Sequence, residues 1–220
     1  MSDLPSRALV TVWAHADDET YCAGGLMASA LDAGCRVVCV TATHATGTRA
    51  AELAAALAVL GVTEHRHLGL DDGTCDRVDP AGPVEVLVGV LREVRPDTVV
   101  TFGADGHTGH PDHRAVSAWV DLALARARLP DARLLHTAVS ERTAARFADV
   151  HARFPIFDPG LPATVPETDL ALRLPLTRGL LDLKLRALAA HESQTRDLRQ
   201  AMGERRYAAW VDREEFVAAP

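Results

Sequence analysis

Five short strand-like runs, LVTVWA (9–14), RVVCVTA (36–42), EHRHLGL (64–70), DTVVTFG (97–103) and RLLHTAV (133–139), alternate with longer stretches of helical period. The intervening stretches at 24–34, 49–61, 84–94 and 113–128 are rich in alanine and leucine, and glycine or proline follows three of these connections. Strand and helix in strict alternation leave few solutions. Parallel strands need a crossover between them, and the helices that supply it must cover both faces of the sheet. The expected fold is therefore α/β, a Rossmann-like three-layer structure with a mostly parallel sheet between helices.

With 220 residues, 48% of them apolar and 24% charged, the chain can form one substantial core. No repeat or linker divides it, so a single domain over 1–220 is expected. Beyond residue 140 the alternation loosens. Residues 154–167 contain four prolines, and 154–176 is expected to be an irregular loop or lid, with LALRLP (170–175) able to form a late edge strand. A helical period returns at 177–194.

A net charge of −7, with neither basic tracts nor aromatic platforms, argues against nucleic acid as a partner. No apolar stretch is long enough to span a bilayer, and the opening MSDLPSRALV does not read as a secretion signal. Cys22, Cys35, Cys39 and Cys75 form no CxxC pair and are expected to be reduced thiols, which fits a cytoplasmic protein. A homo-oligomer is compatible with this reading.

The chemistry lies in the loops. In open parallel sheets ligands gather at the carboxyl ends of the strands. AHADDE (14–19) follows the first strand, TATHATGTR (41–49) the second, GLDDG (69–73) the third and GADGHTGHPDH (103–113) the fourth. His15 and Asp18, three apart, share a side if a helical turn begins there, and His113 arrives from another loop. Two imidazoles and a carboxylate suit Zn²⁺ with one position left for water. The same set suits Fe²⁺, and ligand type alone does not choose between them. Asp17, not needed as a ligand, can accept a proton from that water. His110 can stabilise an oxyanion or protonate a leaving nitrogen, and Asp112 can orient an imidazole. Alone, DDE is more often a solvated helix start and GHPDH more often a turn with Pro111 opening a helix; their meeting at one sheet edge reverses that and favours metal-assisted hydrolysis of an amide or ester. His44, His65, His67, His107 and His136 read as surface or packing histidines.

AHADDE and GHPDH (109–113) resemble the AHPDDE and GHPDH signatures of the PIG-L/LmbE family of zinc-dependent N-deacetylases. GTRAAE (47–52), HLGLDDG (67–73), the whole of 95–113 and KLRALAAHESQ (184–194) are similar to further family segments in the same order. The resemblance implies a Rossmann-like fold, His15, Asp18 and His113 as zinc ligands, and Asp17 as general base. It also implies His110 as the oxyanion or acid histidine supported by Asp112, with Arg49 and Asp72 contacting the substrate. The implied reaction removes an N-acyl group, acetyl above all, from an aminosugar-type small molecule. An amidase for a thiol conjugate or an acylated natural-product intermediate is the alternative. A non-catalytic metabolite-binding module fits less well, because HADDETYCAGG lacks the GxGxxG of a dinucleotide site. Two positions depart from the family pattern: Ala16 stands where proline is usual, and no glutamate precedes Gly47.

Overall fold

The computed structural model describes residues 4–5 and 7–219; the first three positions, part of the stretch read above for a secretion signal, lie outside the described residues. The chain begins with β1 (Ala8–Trp13), α1 (Asp18–Asp32), β2 (Arg36–Thr43), α2 (Gly47–Leu60) and β3 (Glu64–Leu70). It continues through α3 (Ala81–Val94), β4 (Thr98–Phe102), α4 (Pro111–Ala127) and β5 (Arg133–Thr137). Two short helices, α5 (Glu141–Arg146) and α6 (Ala148–Arg153), precede β6 (Leu170–Pro175). The chain closes with α7 (Arg178–Ala190), α8 (Glu192–Met202), α9 (Glu204–Trp210) and β7 (Arg213–Ala218).

One seven-stranded sheet runs in the order β3-β2-β1-β4-β5-β7-β6. The first five strands are parallel, and β7 runs antiparallel to both β5 and β6. Every residue of β1 and β4 is buried, as expected of central strands covered on both faces. One packed helical group contains α1, α2 and α7, and another contains α3 and α4. Chain order reverses between β1 and β4, so their carboxyl ends flank the crevice where open α/β sheets take ligands. The AHADDE loop leaves one of these strands and the GHPDH loop follows the other.

The first helix is longer than its pattern predicts, because it is two helices joined at Ala23, whose φ of −145° and ψ of 16° interrupt the ladder. The expected stretch from 24 corresponds to the second piece. The break is filled from elsewhere in the chain: Lys184 Nζ donates to the Tyr21 carbonyl at 2.7 Å, while the Gly25 and Leu26 amides donate to Glu214 at 2.7 and 2.8 Å. Lys184 also meets Glu214 at 2.7 Å, and both side chains are almost wholly buried. A lysine of α7 and a glutamate of β7 thus replace helical bonds that α1 cannot make for itself.

The 177–194 period also divides, at His191, between α7 and α8. Leu170–Pro175 forms the edge of the sheet, and among the described residues no helix is long and apolar enough to cross a membrane. The four cysteines are free.

Candidate metal and catalytic site

His15 leaves β1, Asp18 begins α1, and His113 sits in the first turn of α4. His15 Nδ1 lies 3.2 Å from His113 Nε2 and 3.6 Å from Asp18 Oδ2, and His113 Nε2 lies 3.5 Å from the same oxygen. An ion held tetrahedrally about 2.1 Å from each of three ligands needs them about 3.4 Å apart, so this triangle has the size of a zinc coordination face.

The surrounding hydrogen bonds fix which nitrogens face inward. His15 Nε2 lies 3.1 Å from Asp112 Oδ2 and 3.1 Å from Asp72 Oδ1, so it carries the proton and leaves Nδ1 as a lone pair. His113 Nδ1 donates to the Gly106 carbonyl at 3.0 Å, which leaves Nε2 as a lone pair. Two ring nitrogens and a carboxylate oxygen thus face one another in a buried space, a set that a bound cation or a proton on His15 satisfies. His15, Asp72 and Asp112 form a second group whose ligand atoms lie within 4.8 Å of one another, but Asp112 is already engaged. Its oxygens also accept from the Gly73 and Cys75 amides at 2.8 and 3.0 Å.

His110 stands beside the triangle, its ring 4.8 Å from that of His15 and 5.1 Å from that of His113. It caps α4 by accepting the Asp112 amide on Nδ1 at 3.1 Å. That bond places the proton of a neutral His110 on Nε2, so the ring presents a donor rather than a ligand. The His113 ring lies flat on Phe102, with centroids 4.0 Å apart and planes at 5°. Gly109 is required where it stands, with φ of 85° and a Cβ position only 1.8 Å from the Asp158 carbonyl oxygen.

Asp17 is strained. Its φ of 112° is foreign to an aspartate, and Glu19 holds it there by accepting its amide on Oε2 at 2.9 Å. Glu19 is completely buried and takes two more donors on Oε1, Thr20 Oγ1 at 2.6 Å and His191 Nε2 at 2.8 Å. The sequence reasoning did not single out Glu19 and His191 as working residues. Their signal was the last letter of AHADDE and the first of HESQ, and only the fold brings the two together. Ser193 of the same segment binds Glu52 with its amide at 2.8 Å and its hydroxyl at 2.6 Å, so GTRAAE and HESQ pin each other.

Arg49 and Asp72 pair with each other at 2.8 Å, and Arg49 also donates to the Ala16 carbonyl at 3.2 Å. Asp72 is about half exposed, which puts this pair at the rim of the triangle.

The electrostatics follow from crowding. Burial opposes charge on His15, but the hydrogen bond and charge of Asp18, followed by Asp112 and Asp72, outweigh it and raise its pKa to about 9. Burial works against Asp18 too, yet His113 and His15 hold its carboxyl well below the usual range. Burial raises Asp17, and the charges of Asp18 and Glu19 add to the effect. Burial lowers His113.

Fold and site together define an α/β protein with a two-histidine, one-carboxylate centre and a strained aspartate beside it. Residues 10–124 match the PIG-L family, described as GlcNAc-PI de-N-acetylase. The chain belongs to that family. It is 32% identical to a 1D-myo-inositol 2-acetamido-2-deoxy-alpha-D-glucopyranoside deacetylase of Frankia casuarinae, covering 87% of this chain and 81% of the relative. Against the enzyme of the same description from Actinosynnema mirum it is 31% identical, over 93% and 86% of the two chains. The solved N,N'-diacetylchitobiose deacetylase of Pyrococcus horikoshii superposes with a TM-score of 0.63 over 99% of this chain and 87% of that one, at 22% identity. At that identity the likeness speaks for the fold.

Proposed function

We propose that this protein is a zinc-dependent hydrolase that removes an N-acyl group from the amine of an aminosugar-type substrate. The observation that carries the proposal is the triangle of His15 Nδ1, Asp18 Oδ2 and His113 Nε2, with sides of 3.2 to 3.6 Å and with Asp17 on the same cavity wall as Asp18 and His113. Family membership supports the reaction, and the names of the relatives support acetyl and a glucosamine unit as its components. A divalent cation bound there supplies Lewis acidity, polarising the amide carbonyl and acidifying water.

The chain's own groups do the rest. Asp17 accepts the proton of the attacking water as its oxygen bonds to the carbonyl carbon. His110 directs its Nε2–H at the oxygen that gains charge, and Asp17 returns the proton it took to the departing nitrogen. The C–N bond breaks, leaving a carboxylate and a free amine. Asp112 and the Gly106 carbonyl keep the two imidazoles turned inward. In this reading Arg49 and Asp72, at the rim, meet sugar hydroxyls.

Metal analysis of the purified protein, joined to an amine-release screen over N-acylated glucosamines and their inositol conjugates, tests this reading. Zinc together with amine release is the expected result. Bound zinc with no amine from any member of the panel contradicts the reaction, and iron as the bound metal contradicts the choice of zinc.

A further inference from the structure

A cavity of about 310 Å³ opens directly beside the triangle, with Asp17, Asp18 and His113 on its wall. His110, Arg49 and Asp72 do not line it. Tyr21, Val139, Ile156, Phe157, Leu198 and Trp210 contribute apolar surface to its wall. The His107 and His151 rings pack edge-on against Phe157, with centroids 6.2 and 5.1 Å away, and hold it as part of the wall.

The other charged groups on this wall are already occupied. Glu214 is held by Lys184 and the Gly25 and Leu26 amides. Glu215 accepts from the amide and hydroxyl of Ser140 at 2.8 and 3.1 Å and from Thr143 Oγ1 at 2.9 Å. Arg213 donates to Asp212 at 2.7 Å, and the Tyr21 hydroxyl meets that of Tyr207 at 2.8 Å. Thr137 Oγ1 is buried at the wall without a partner. Thr108, Gln194 and the His107 and His151 rings also line the cavity, but most of its accessible surface is apolar, which suits an aliphatic chain better than a sugar with a hydroxyl on nearly every carbon.

We propose that this cavity is an acyl-chain pocket, and that the favoured substrate carries an unbranched aliphatic acyl group of roughly six to eight carbons rather than acetyl. The inference rests on the deacylase reading above and adds its direction: acyl chain into the cavity, amine toward His110 and the Arg49–Asp72 rim. The size agrees. A space of about 310 Å³ has room well beyond the one methyl that acetyl would supply. Each methylene moved from water to an apolar wall favours binding about fourfold.

The test compares N-acetyl-, N-butyryl-, N-hexanoyl- and N-octanoylglucosamine by amine release, together with acetate and octanoate binding measured by calorimetry. The kcat/KM is expected to climb with chain length. Octanoyl should exceed acetyl by about 10²-fold after the ordering of the chain is deducted. Ile156→Trp, and independently Leu198→Trp on the other wall, should cut the octanoyl advantage below about tenfold and leave acetyl within about twofold. A flat or falling series, with octanoate bound no tighter than acetate, overturns the pocket and leaves deacylation standing. If no substrate releases amine, the deacylase reading fails, and the carboxylates then decide the pocket alone: tighter octanoate upholds it and equal affinities overturn it.

Discussion

Lys184→Met offers a demanding test of how the first helix is held. The substitution keeps most of the side-chain volume and removes one charge. It leaves Glu214 buried with two amide donors but no cation, and it leaves the Tyr21 carbonyl without the donor it now has at 2.7 Å. Breaking one side of a buried ion pair costs about 3–5 kcal/mol, because the remaining charge stays out of water uncompensated. For a chain of this length, with a urea slope near 2–3 kcal/mol per molar, the midpoint should fall by about 1–2.5 M. The melting temperature should drop by roughly 6–20 °C. The assay is urea unfolding followed by tryptophan fluorescence and circular dichroism, with coincidence of the two probes confirming a single transition. Adding Glu214→Gln to Lys184→Met should recover part of the loss, since the stranded charge disappears. A loss below about 1 kcal/mol, or a double variant no better than the single one, refutes the idea that the pair carries the broken helix.

Other outcomes follow from the same geometry. Glu19→Ala frees the Asp17 amide, and a displacement of about 1 Å at the base should lower kcat about 10²-fold at unchanged cation content; Glu19→Gln, which keeps one acceptor, should restore much of it. Asp17→Gly relieves the positive φ and should raise the unfolding free energy of the metal-free protein, read from urea denaturation, by up to about 1 kcal/mol, while abolishing turnover. His65 gives the pH dependence: burial, then the neighbouring His67, lowers its pKa from 6.5 to about 4. The unfolded chain therefore binds the extra proton between those values, so its contribution to stability is complete above pH 6.5 and is lost as pH falls toward 4. After solvent screening at this half-buried site the loss should be about 1 kcal/mol, and His65→Gln should flatten that part of the urea-midpoint profile.

Much of this was legible because the physics involved is local. The alternation of valine-rich and alanine-rich runs dictates parallel strands with crossovers, and the polar loops must then share one edge. His15, Asp18, His113, Asp17, His110 and Asp112 were named from two motifs because each motif ends a central strand. What could not be read depends on long-range compensation. REEFVA carries two adjacent glutamates, which argue against an inner strand, yet β7 buries both because Lys184, Ser140, Thr143 and the amides of the broken helix receive them. Glu19 looks like any acidic helix start until His191, 172 residues later, closes on it. Arg49 and Asp72 were expected at the substrate; the structure brings them together as a mutual pair at the rim, a relation no spacing encodes.

The central claim divides AHADDE into ligands and a base, and one paired measurement addresses it. Asp17→Asn and His113→Ala are purified beside the native protein, metal is counted in each, and amine release is followed on one N-acylated glucosamine. The account predicts that His113→Ala loses zinc and turnover together. It predicts that Asp17→Asn keeps its zinc and loses at least about 10²-fold in kcat. An Asp17→Asn protein as active as the native one, or a His113→Ala protein that still holds stoichiometric zinc, would contradict it.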